Sequence, residues 1–191
     1  MTKLDRKLNI VIPVELDDGS TVHVHSEPIN RAIFETYFDI MGRVFTQVYM
    51  GGYGHVTGPR VAKLLLRKTA VAAGAWDGPA GVQNLINEIN RMTNVIVCGL
   101  TGWTTLPYED AIRQKLFNED DQSEIENAIV FFILASAIHR KAELRPILDQ
   151  ALPMWGGSVT PLNCTEYAAS LPISTQGANT GAKAKASSIP S

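Results

Sequence analysis

The sequence predicts a mainly α fold: a single helical domain with an N-terminal β-hairpin and a disordered C-terminal tail. Three observations carry this. Residues 128–138 form an almost unbroken apolar run centred on Phe131 and Phe132, the mark of a helix touched from several sides. Residues 29–50 place Ile33, Tyr37, Phe38, Met41, Val44, Phe45, Val48 and Tyr49 at the 3.6-residue helical period. Residues 8–24 alternate instead, with Ile10, Ile12 and Val14 before the turn Asp17-Asp18-Gly19-Ser20 and Val22 and Val24 after it. The expected parts are a hairpin over 1–27, a helical body over 28–152 and a flexible tail over 153–191.

Two strands alone are marginal, so the hairpin needs the helical body or a neighbouring subunit's sheet over its apolar face. Pro13 lacks an amide donor and fits an edge strand. A first helix is expected over residues 26–50, then a glycine-rich break over 51–58. A second follows over 59–75, with Val61, Leu64, Leu65, Val71 and Ala72 inward and Arg60, Lys63, Arg67 and Lys68 outward. The spacing of Val82, Leu85, Ile86, Ile89 and Met92 predicts a third over 79–99, although the β-branched residues 93–98 also fit a strand. Residues 99–106 read as a loop around Trp103, and Pro107 with Glu109 and Asp110 opens a short helix to about residue 117.

The central helix is expected over 123–144. Ser123 and Glu126 stand at capping-box spacing after the acidic run Glu119-Asp120-Asp121, and His139, Arg140, Lys141 and Arg145 precede Pro146. Beyond residue 153 the composition shifts to Ser, Thr, Gly and Ala, too polar after residue 174 to offset the entropy of ordering. An island at 162–171 differs. Thr165 caps a short amphipathic helix bearing Tyr167 and Leu171, which docks on a partner or back on its own body.

With 191 residues, 45% of them hydrophobic, the chain can bury one sizeable core. A net charge of -2 gives no global pull toward nucleic acid or an anionic membrane. The run 128–138 rises only about 16 Å as a helix against a hydrocarbon core of about 30 Å, so it is read as core rather than a span. Met1 to Lys7 is charged and lacks a signal peptide's features, and Cys98 and Cys164 are too few for a disulfide framework. The expected location is a cytoplasm.

Each candidate for chemistry has a plainer reading beside it. The glycines of residues 51–58 lack the lysine and hydroxyl of a phosphate-binding loop, so a hinge is favoured over nucleotide binding. His23 and His25 share one strand face and His55 is a conceivable third metal ligand, but no carboxylate or thiolate is placed with them. The acidic residues at 119–126 lack a calcium loop's spacing. Arg60, Lys63, Arg67 and Lys68 are not interleaved with aromatics, which argues against nucleic acid. No nucleophile, base and orienting group form a recognisable motif, so no enzyme, cofactor or metal is expected.

Residues 165–175, Thr-Glu-Tyr-Ala-Ala-Ser-Leu-Pro-Ile-Ser-Thr, with the closing Lys-Ala-Ser-Ser-Ile-Pro-Ser, resemble the C-terminal end of tail assembly chaperones of long-tailed (siphovirus-type) bacteriophages. Residues 37–53 and 103–117 are similar to that group in size and layout. The resemblance implies a helical protein of the host cytoplasm that coats the aggregation-prone tape measure protein before the tail tube polymerises, and that is absent from the finished virion. It also implies a longer form, made by ribosomal frameshifting, that recruits tail tube protein. It carries no residue-level binding motif. Partner contact is expected at Tyr167 and Leu171 and at Phe45, Tyr49 and Tyr53, with core packing the alternative for Phe45 and Tyr49. A homo-oligomer is also compatible, and so is a structural tail or head-to-tail connector component whose hairpins pair between subunits.

Overall fold

The fold is mixed α/β, which corrects the expectation of a mainly α helical domain: a computed structural model, describing residues 7–50, 54–99 and 101–172, builds a five-stranded antiparallel sheet into the body. The strands are β1 (Asn9–Glu15), β2 (Thr21–Ser26), β3 (Thr93–Gly99), β4 (Gly102–Pro107) and β5 (Ser158–Thr160), in spatial order β4-β3-β2-β1-β5. The hairpin β1–β2 forms as its alternation requires, with Leu16 N–H bonded to the Ser20 carbonyl across the turn. It then gains β3 on one side and β5 on the other.

Two readings change for a local reason. Residues 93–98 leave the third helix because their β-branched side chains pack better on a pleated surface, with Val95 beside Val24 and Ile96 beside His23. Residues 102–106, within the stretch 99–106 read as a loop, pair along their whole length with β3, as does Pro107, expected to open a helix. Pro13 lies on an inner strand, but β5 reaches only Asn9 to Val11, so its missing donor costs no ladder bond there.

Eight α-helices are described: α1 (Arg31–Met50), α2 (Gly54–Arg60), α3 (Ala62–Ala72), α4 (Val82–Arg91), α5 (Tyr108–Arg113), α6 (Glu119–Ile138), α7 (Lys141–Ala151) and α8 (Cys164–Ser170). α1 starts five residues later than expected, where the Asn30 side chain accepts from Ile33 N–H. α2 fills part of the supposed hinge. At Gly58 a Cβ would lie 2.8 Å from the Val48 carbonyl oxygen, so glycine is what lets α2 approach α1.

α6 begins at Asn118, whose side chain accepts from Asp121 N–H, rather than at Ser123. The acidic run therefore forms its first turn, and Glu126 is freed to pair with Lys63 on α3. The helix also ends earlier, because His139 and Arg140 turn extended and Arg140 opens α7. Ten of its residues are buried, Phe132 completely. They meet α1, α2, α3, α7 and the sheet face carrying Ile10, Ile12, Val14, Val22, Val24 and Val95.

The chain after residue 153 is folded up to Pro172. Trp155 is buried in a 3-10 turn (Leu152–Trp155), and left-handed Gly156 (φ 60) leads toward β5. α8 then covers the second face of the sheet. The expected disorder after residue 174 lies outside the described residues.

Candidate partner-binding surface

A groove of about 960 Å³ runs between α1 and α3. It is lined by Phe38, Asp39, Gly42, Arg43, Thr46 and Gln47 from α1 and by Leu65, Lys68, Thr69 and Ala72 from α3 with Ala73 just after it, and Phe38 has 59% of its surface exposed. A Cβ at Gly42 would meet nothing within 4 Å, so packing within this chain does not require glycine there. Leu64 and Val71, seven residues apart on one face of α3, are 62% and 57% exposed. Exposed apolar side chains are a feature by which a protein surface accepts an amphipathic helix.

The sequence reading missed this surface because it turned Leu64, Val71 and Ala72 inward. Leu65 is buried as expected, and Ala62, Leu66 and Ala70 complete the buried stripe of α3. The signal was available. Leu64 and Val71 share their face with Lys68, which belongs in water.

Phe45 and Tyr49 are half-buried, with ring centroids 4.4 Å apart, and they pack against His139 and Phe131 respectively. Both belong to the margin of the main core. Tyr49 also lines a pocket of about 300 Å³ with Val48, Pro59, Phe131 and Ile147, and burial pushes its hydroxyl pKa up to about 12. Tyr53 lies outside the described residues.

Tyr167 and Leu171 turn toward their own chain. With buried Cys164 and Ala168 they cover Ile96 and Trp103 on the second sheet face. The asparagine ahead of α8 makes a full capping box: Asn163 Oδ1 accepts from Glu166 N–H, and Glu166 Oε2 accepts from Asn163 N–H. Beneath the helix, Tyr167 lies 5.9 Å from the His23 ring and 6.2 Å from the His25 ring, and His23 stands edge-on to Trp103 at 5.4 Å. Trp103 Nε1 donates to the Pro172 carbonyl at 2.8 Å, and Asn9 Nδ2 donates to that of Leu162 at 2.8 Å. Of the two alternatives for the island, the structure takes docking on its own body.

No protein-family model, curated protein or solved structure matches this chain. The surface therefore has to be read from its own chemistry. Among the described residues no three His, Cys, Asp or Glu side chains stand close enough to hold a metal, and no helix is long and apolar enough to cross a membrane. His23 and His25 do share one face, where His23 meets the rings of Trp103 and Tyr167 and His25 meets Tyr167 and the Leu162 carbonyl. The cationic row on α2 and α3 is broken up, since Lys63 is paired with Glu126 and the Arg67 guanidinium sits 5.5 Å over the Trp76 ring. The surface offers apolar and small side chains interspersed with Lys68 and the Arg43–Asp39 ion pair.

Proposed function

We propose that this protein is a tail assembly chaperone of long-tailed bacteriophages. It binds the tape measure protein in the host cytoplasm, keeps it soluble, helps recruit tail tube subunits through a frameshifted longer form, and stays out of the mature virion. The observation that carries the reading is the α1–α3 groove, with exposed Phe38 in its lining and exposed Leu64 and Val71 elsewhere on α3, apolar surface that suits a helical stripe of a client. The resemblance of residues 165–175 to the end of such chaperones supports the same class. A long helical client presents many such stripes, so each contact can be weak while several copies together keep the client covered.

The reading of a structural connector rested on β1–β2 pairing between subunits. That hairpin has β3 beside β2 and β5 beside Asn9 to Val11 of β1, so the chaperone reading comes first and the connector stays second.

The test is co-expression with the tape measure protein encoded beside this chain, followed by affinity capture and light scattering. A soluble complex holding several copies of this protein is expected. A tape measure protein that stays insoluble, with none captured, overturns the proposal.

A further inference from the structure

The two edges of the sheet are unlike. At one end β5 is three residues long, is entered through Gly156 and Gly157 and is left through Pro161, so it offers little backbone to another strand. At the other end β4 runs for six residues and, among the described residues, pairs only with β3. Edge strands are commonly guarded by a charge, a bulge or an internal proline. The central four residues of β4, Trp103-Thr104-Thr105-Leu106, carry no charge and no proline, their register with β3 is unbroken, and Thr104 and Thr105 are exposed.

The register fixes which backbone groups remain unused. Gly99 pairs with Gly102 across a two-residue connection, which closes on a hydrogen-bonded pair, so bonded pairs recur at Val97 with Thr104 and Val95 with Leu106. The N–H and C=O groups of Trp103 and Thr105 then face away from β3. Pro107 belongs to the same outward set, where its missing donor breaks no bond within the sheet.

We propose that β4 is a homodimerisation edge: two copies of this chain pair β4 with β4, antiparallel about a two-fold axis at Thr105, joining their two sheets into one. The strand itself selects its partner. A two-fold at Thr105 sets this residue against its own copy with both outward groups bonded. Trp103 then meets Pro107 of the second copy, whose carbonyl accepts from the Trp103 N–H but which has no N–H to return, so each end of the ladder carries one bond, and Thr104 meets its Leu106. Each pair joins side chains of one face, no like charges meet, and the threonine pair is a favourable cross-strand combination. Because the β5 edge is too short to continue the ladder, association closes at two copies instead of growing into a filament.

The experiment is sedimentation equilibrium of the full chain over a range of concentrations, alongside Thr105→Pro, which removes the outward N–H, and Thr105→Lys, which places a charge on the edge. A dimer for the parent and a monomer for both variants, with melting temperatures unchanged, is the expected result. If Thr105→Pro does not fold, Thr105→Lys decides. A parent that is monomeric at every concentration, or a dimer that survives the substitutions, overturns the proposal. So does a dimer seen only after residues 173–191 are removed, since that would give the edge to the chain's own C-terminal segment. The assay needs no tape measure protein, so this inference and the chaperone reading can fail separately.

Discussion

His25, fully buried on β2, donates from Nε2 to the Leu162 carbonyl oxygen 3.0 Å away and so ties the middle of the sheet to the segment that precedes α8. Its Nδ1 is buried with no partner among the described residues, as is that of His23. Burial holds both imidazoles below the ordinary value of 6.5. For His25 the Leu162 carbonyl and the Glu27 carboxylate pull the other way without overcoming it. The unfolded chain therefore takes up protons near pH 6.5 that the folded chain resists, and this contribution to stability is complete above 6.5 and lost as the pH falls below it. The melting temperature should hold between pH 8 and 7 and drop between about 6.5 and 5, with a smaller drop in His25→Gln. A melting temperature that rises on acidification would contradict this account.

Gly42 separates groove from fold. Its Cβ position is open, so Gly42→Ala should raise stability by about 0.5 to 1 kcal/mol through helix propensity alone. Gly42→Leu should fold equally well, fill the groove and abolish capture of the tape measure protein. Undiminished capture by the leucine variant would move the contact to another surface.

Asn118 and Ser123 compete as the start of α6, and the side-chain bond to Asp121 N–H favours Asn118. Asn118→Ala should cost about 1 kcal/mol in chemical denaturation, whereas Ser123→Ala, an exposed change inside the helix, should be near neutral. The reverse order would restore the later start.

Phe132 has no exposed surface and sits where α6 meets the rest of the core. Phe132→Ala should cost about 3 to 5 kcal/mol, read as a lowered denaturant midpoint. A midpoint equal to the parent's would mean that the centre of the core is elsewhere.

Patterns contained within one element were legible in the sequence. The alternation of β1 and β2 and the unbroken apolar run of α6 each announce their own burial. What escaped was set by neighbours. Trp103-Thr104-Thr105-Leu106 has too little local pattern to declare a strand, and only pairing with β3 makes it one. Residues 158–160 are too short to signal anything without β1 beside them. Tyr167 and Leu171 show an amphipathic helix, yet whether it covers its own sheet or a partner depends on Ile96 and Trp103, which lie far away in sequence. The groove was hidden by a related limit: α3 is apolar on two faces, and counting apolar positions does not say which face the core takes.

The pairing of β1 with β5 also bears on synthesis. Asn9, which pairs with Thr160 and donates to Leu162, lies 153 positions before that leucine. During synthesis the first hairpin stays without its outer strand until residues 158–160 have been made. Completion of the sheet is then a late, long-range event, and an early pause or truncation leaves the β1 edge bare and prone to aggregate.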